Sequence, residues 1–250
     1  MDSATLMFLA APFVASLILT GIHAYLGVHV VERGVIFVDL SLAQIAALGA
    51  AIALLLPVTG GDAHAPAVYW ISLGFTFIGA LVFSTIRGHR ARIPQEAVIG
   101  ICYAVASAAT ILAMSKATSE SEHLKDMLVG NILAVSWAEV YKTAALYALF
   151  ELFHYRFRKT FLQISLNHDK PSVQGSVRFW DFLFYASFGF VVTWSVAIAG
   201  VLLVFCYLIV PSVGAMLYAD TVGRRLAIGW TMGTVVSAMG VYLSLALDLP

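Results

Sequence analysis

Charge is what this chain has least of: Asp, Glu, Lys and Arg make up 11% of its 250 residues, while 61% are hydrophobic. A water-soluble domain carries about 25% charged residues, so this composition excludes one. Cysteine is nearly absent too. Cys102 and Cys206 both fall inside apolar runs, which excludes a disulfide framework. Net charge is zero and no basic cluster is large enough for a nucleic-acid partner. Neither a Gly-rich phosphate loop nor a His-Glu-x-x-His, Gly-x-Ser-x-Gly or paired-Asp motif occurs, which argues against an intramembrane enzyme. Met1, Asp2 and Ser3 supply no positive stretch ahead of the first apolar run, so no cleavable signal peptide is expected.

What the chain has instead is length without charge. Uncharged runs cover residues 3–31, 40–61, 67–86, 97–115, 182–219 and 226–247, and about 20 helical residues cross a bilayer. The run 182–219 would be roughly 57 Å long as one helix, about twice the hydrocarbon thickness. It must fold back, and Ala199 and Gly200 are the natural place. A less pure span lies at 139–155, with Lys142 near one end and Glu151 near the other. The expected fold is therefore an all-α polytopic membrane protein of about eight transmembrane helices in a single domain, 1–250.

The basic residues orient it. Arg33, Arg87, Arg90, Arg92, Arg156, Arg158, Lys159, Lys170, Arg178, Arg224 and Arg225 lie on alternate loops, and only Lys116, Lys125 and Lys142 belong to the other side. Since Lys and Arg are retained in the cytoplasm, the N-terminus is expected outside and the longest loop, 156–178, inside.

Three stretches carry a specific likeness: EAVIGICYAVASAATILAMS at 96–115, LVGNILAVSWAEV at 128–140 and AGVLLVFCYLIVPSVGAML at 199–217. From about Gly27 to Pro250 the chain resembles the permease subunits of ABC importers for zinc, manganese and related metals. The resemblance implies a non-enzymatic, homodimeric permease in the bacterial plasma membrane, served by a separate cytoplasmic ABC ATPase and an extracytoplasmic metal-binding protein. It implies no stably bound cofactor, the divalent metal ion being cargo. It also places a short ATPase-docking helix in the loop 159–178, with Phe161, Leu162, Gln163 and Ile164 as the contact residues. From the residues alone that loop reads equally as an ordinary basic cytoplasmic loop.

A metal ion crossing a bilayer needs polar groups in place of its water. Asp39, Ser41 and Gln44 on the second span and His23 and His29 on the first are the candidates, with Asp39, Gln44 and His23 foremost. The family pattern has an Asp followed four residues later by a His. In this chain those positions hold Leu40 and Gln44, and Asp39 falls on the family's Gly. Asp39 and Gln44 are about 140° apart around a helix, so they do not share a face. Asp39 can alternatively be an interfacial carboxylate pairing with Arg33, and His23 a structural histidine bonded to a backbone carbonyl. Cys102, Cys206 and Met114 are soft potential ligands that also suit packing.

Gly49, Gly74, Gly79, Gly100, Gly200, Gly229, Gly233 and Gly240 are expected at close helix contacts. Pro211, mid-span, is expected to kink or break its helix and is the candidate hinge. The family usually continues with a further apolar span after the segment matching Leu247 to Pro250, so the expectation is either that the chain is a fragment or that the last helix is dispensable here. Two rival readings remain at this level: a permease for a chelated metal or small cofactor, and a proton-coupled carrier using Asp39, Glu151 and His154.

Overall fold

The computed structural model describes residues 3–60, 62, 65–86, 93–116, 130, 132–167 and 176–247, with side chains from residue 9 onward in the first helix. Nine α-helices occur among them: α1 (Ser3–Glu32), α2 (Val38–Leu55), α3 (Pro66–Ile86), α4 (Gln95–Met114), α5 (Trp137–Arg156), α6 (Arg158–Leu166), α7 (Val177–Ala199), α8 (Val201–Met216) and α9 (Val222–Leu247). No strand is present among the described residues. A buried backbone in a lipid bilayer must satisfy its own hydrogen bonds, and helices are how this chain does so.

Six of the nine, α1 to α4, α7 and α9, are long and apolar enough to cross a membrane. The expected count of eight is met by adding two helices with identifiable departures. α8 has 16 residues, about 24 Å of rise. α5 has 20 residues but carries Glu139, Lys142 and Glu151. The α5 start is set by a capping box: Ser136 Oγ accepts from the Glu139 N–H at 3.3 Å, and Glu139 Oε2 accepts from the Ser136 N–H at 2.8 Å.

The break in the long apolar run comes at Gly200, whose φ of +77° belongs to the region that favours glycine. There α7 ends and α8 begins. Gly130, with φ +61°, lies against this break, since a Cβ on it would strike Ala199 and the Gly200 nitrogen. The break is the fold-back expected at Ala199 and Gly200; at Pro211, where a kink or break was expected, α8 does not break.

The helices pack in two neighbourhoods. α2 lies against α3 and α4, and α3 against α7; α1 lies against α5, α8 and α9, and α8 against α9. Leu19, Ile22, Leu42, Phe83, Phe184, Phe188 and Leu208 are among the buried core side chains that join them. Glycine placement splits along burial. A Cβ at Gly49 would lie 2.8 Å from the Ser72 Cα, and one at Gly79 2.8 Å from Ile45 Cδ1, so these are close helix contacts as expected. Gly233 packs as closely against Thr20, whereas a Cβ at Gly229 would meet Pro211 O at an ordinary contact distance of 3.4 Å. Gly74, Gly100 and Gly240 have nothing within 4 Å and are not close contacts among the described residues: Gly74 and Gly100 are exposed, and Gly240 borders open space beside α8.

Large apolar side chains stand exposed on α3, α4, α5 and α9, among them Trp70, Ile78, Ile101, Leu112, Leu149 and Tyr242. That pattern suits a bilayer as solvent. Arg225 pairs with Glu32 and Arg33 with Asp181, so the basic ends of α1, α7 and α9 meet at one end of the molecule. Lys125, Lys170 and the basic residues between α3 and α4 lie outside the described residues, as does Pro250.

Candidate functional site

Asp39 occupies the first turn of α2 and is 1% exposed. The chain reaches it by turning at Gly34, with φ +64°, after which the Val35 N–H still bonds Val30 O at 3.2 Å. Neither Asp39 carboxylate oxygen has a hydrogen-bonded partner among the described residues. The N–H groups of Asp39 and Leu40 and the Glu96 carboxylate lie nearby. Glu96, in the first turn of α4, accepts from the Phe37 N–H at 3.0 Å through Oε1, while Oε2 is buried with no partner. Two carboxylates therefore converge on the N-terminus of α2, the end of a helix that favours anions. Arg33, the alternative partner for Asp39, is instead paired with Asp181 at 2.8 Å.

Gln44 is half-buried, one and a half turns beyond Asp39 on α2. His23 is fully buried on α1, and both of its ring nitrogens are engaged. Nδ1 donates to Leu19 O at 2.8 Å, and Nε2 lies 3.2 Å from Ser195 Oγ, which Tyr147 also bonds. This is the backbone-bonded arrangement that the sequence left open. Among the described residues no group of three or more His, Cys, Asp or Glu is arranged to hold a metal ion. Cys102 is half-buried, Cys206 exposed and Met114 buried.

A second buried polar centre joins α1, α5, α6 and α7. Arg33 Nε donates to Ser165 Oγ at 2.9 Å, Nη1 donates to Asp181 Oδ1 at 2.8 Å, and the guanidinium lies 3.8 Å over the Phe184 ring. His29 Nδ1 is 2.8 Å from the same Ser165 Oγ. His154 Nε2 lies 2.8 Å from Ser187 Oγ; since that hydroxyl donates to Phe184 O at 3.0 Å, the imidazole N–H is the donor. The His154 ring stacks on Phe161 at 4.6 Å.

That stacking decides how α6 sits. Phe161 and Ile164, three residues apart on one face, are fully buried in this chain's own core. Of the four residues expected to meet an ATPase, those two are unavailable to a partner, because their apolar face is already covered by His154, Phe153 and Trp180. Leu162 is half-buried and Gln163 exposed, so the open face of α6 comprises Arg158, Lys159, Leu162, Gln163 and Leu166. Elsewhere, a cavity of about 760 Å³ opens between α1, α8, α9 and the turn at Ile132–Ala134, walled by groups such as Leu203, Tyr207, Met232 and Val236. Pro211 and Cys206 line it, but none of Asp39, Gln44 or His23 does.

A family model described as the ABC 3 transport family matches residues 5–250. The chain belongs to that family. A probable iron transport system membrane protein of Haemophilus influenzae is 26% identical over 180 residues, 71% of this chain and 64% of the relative; the match thus spans less than two thirds of that protein. The manganese import system permease protein ScaB of Streptococcus gordonii is 21% identical over 244 residues, 97% of this chain and 84% of ScaB. A solved structure, PsaBC from Streptococcus pneumoniae in complex with Fab, shares the fold with a TM-score of 0.77 at 21% identity, over 99% of this chain and 88% of that one.

In this ABC 3 family member, sequence reasoning missed Glu96, Asp181 and Ser165. Asp181 had a visible signal: it borders the uncharged run that begins at residue 182, and Arg33 lies two residues past the one ending at 31. Nothing in the sequence pairs them, since they are 148 residues apart.

Proposed function

We propose that this chain is the membrane-embedded, non-enzymatic subunit of an ATP-driven importer for a divalent transition metal ion: zinc, manganese or iron. The observation that carries the reading is the family match across residues 5–250, and the fold shared with PsaBC over nearly the whole chain supports it. In this reading two copies form the pathway in a bacterial plasma membrane. An extracytoplasmic metal-binding protein delivers the ion, and a separate ABC ATPase engages Leu162, Gln163 and Leu166 on the open face of α6.

The polar groups on α2 support a metal rather than an apolar cargo. A desolvated dication needs formal negative charge close by, and the buried Asp39 with the half-buried Glu96 of α4 supplies it. The donors on offer are carboxylate oxygens and the Gln44 amide, while the His23 imidazole is occupied by Leu19 O and Ser195. Oxygen donors favour manganese-like over zinc-like ions. The test is uptake of radioactive manganese, iron and zinc into vesicles containing the chain with its ATPase and binding protein. Asp39→Asn should abolish uptake with assembly intact, and Gln44→His should shift preference toward zinc. Unimpaired uptake by Asp39→Asn would show that the path runs elsewhere, and no ATP-dependent uptake of any of the three ions would sink the transport reading.

A further inference from the structure

We propose that the junction of α5 and α6 is a binding site for an anionic phospholipid, its phosphate held by Arg156, Arg158 and Lys159 and its acyl chains lying along Leu149 and Leu152. α5 ends at Arg156 and α6 begins at Arg158, with Phe157 between them at φ −108° and ψ 15°. That bend gathers residues of both helices around a groove of about 600 Å³, walled by Leu152, Tyr155, Phe157 and the three cations.

Arg33 and Arg225 each pair with a carboxylate. Among the described residues Arg156, Arg158 and Lys159 form no ion pair, as Arg178 and Arg224 also do not, but only the first three are gathered in one groove. Two of the three are held in place. Arg158 lies 4.1 Å over the Tyr155 ring and donates to Tyr155 O at 3.4 Å, and Arg156 lies 5.4 Å from the Phe157 ring centre. A preformed, exposed cluster of positive charge with no counter-ion among the described residues calls for an anion.

The surface that continues from the groove identifies the anion's other half. Leu149, Leu152 and Tyr155 follow one another at three-residue spacing along α5 and are 63%, 65% and 64% exposed. An apolar strip leading into a basic groove at the end of a membrane helix matches a molecule with hydrocarbon chains and a phosphate head. A free phosphate would leave the strip unused, and an acidic soluble protein would leave it facing lipid. The site is independent of what the chain transports.

Native mass spectrometry of the full chain in detergent, titrated with phosphatidylglycerol or phosphatidylcholine, tests this. The wild type should bind phosphatidylglycerol at least tenfold more tightly than phosphatidylcholine. Each cation near a membrane surface is worth about fivefold in affinity, so the triple variant R156Q/R158Q/K159Q should lose most of that preference. Arg224→Gln, an exposed basic residue on α9, should leave it unchanged. Glycerophosphoglycerol, the same head without chains, should bind at least tenfold more weakly than the lipid. Equal affinity for the two lipids, an unchanged triple variant, an equal loss in Arg224→Gln, or a chain-free head that binds as well as the lipid would each overturn the proposal. So would a triple variant that keeps its phosphatidylglycerol and loses only its ATPase, which would assign the groove to a protein partner.

Discussion

Replacing Asp181 with Leu should destabilise the chain more than replacing Asp181 and Arg33 together. Arg33 is 2% exposed and Asp181 1%, so the single change leaves a guanidinium buried without its carboxylate. Breaking a buried pair this way costs about 3–5 kcal/mol. The guanidinium would keep Ser165 Oγ and its place over Phe184, an interaction worth up to about 2 kcal/mol when desolvated, which puts the loss near the lower end of that range. In Arg33→Met with Asp181→Leu no charge is stranded, and apolar side chains of similar size join the surrounding aromatic cluster. The expected loss is about 1 kcal/mol, since such replacements are often close to neutral. The remaining contacts of each residue cancel in a double-mutant cycle. Thermal unfolding in detergent reads the difference, at about 2–4 °C per kcal/mol for a chain of this size. Losses that simply add, within about 0.5 kcal/mol, would show that the two residues do not stabilise each other and refute the reasoning.

Gly49→Val should cost about 2–3 kcal/mol, because its Cβ would lie 2.8 Å from the Ser72 Cα and 2.9 Å from the Phe75 Cβ. Gly74→Ala, with nothing within 4 Å, should be neutral or gain up to about 1 kcal/mol of helix propensity; melting temperatures in the reverse order would contradict the packing described. On α6 the two faces should behave oppositely. Phe161→Asp should abolish folded protein in size-exclusion chromatography, whereas Leu166→Asp should fold and release a co-expressed ATPase; a well-folded Phe161→Asp would show that this side chain is not in the core.

The membrane architecture was readable from residue order because hydropathy is a local property. A run such as 97–115 has no charged side chain to place in water, so α4 forms whatever surrounds it. The need for a break inside 182–219 followed from length alone, and Gly200, able to take φ +77° without strain, was its legible position. At Pro211 the helix does not break, because a proline removes one helix hydrogen bond, a loss that a membrane helix among close neighbours tolerates. Asp39 stood out as a carboxylate beside an apolar span, and it is buried without a hydrogen-bonded partner. What accompanies it could not be read: Glu96 comes from another helix, 57 residues later in the chain.

The sequence by itself determined that the chain is helical, membrane-spanning and apolar on nearly every face, since those properties follow from the charge and spacing of neighbouring residues. Only the tertiary structure decided which polar groups are satisfied and which stand open. Arg33 chose Asp181 over the nearer Asp39, His23 spent both nitrogens on Leu19 and Ser195, and Phe161 turned inward onto His154. The physical reason is common to all three. A buried polar or aromatic group takes the partner that packing brings within a few ångströms, and separation along the chain does not enter that choice.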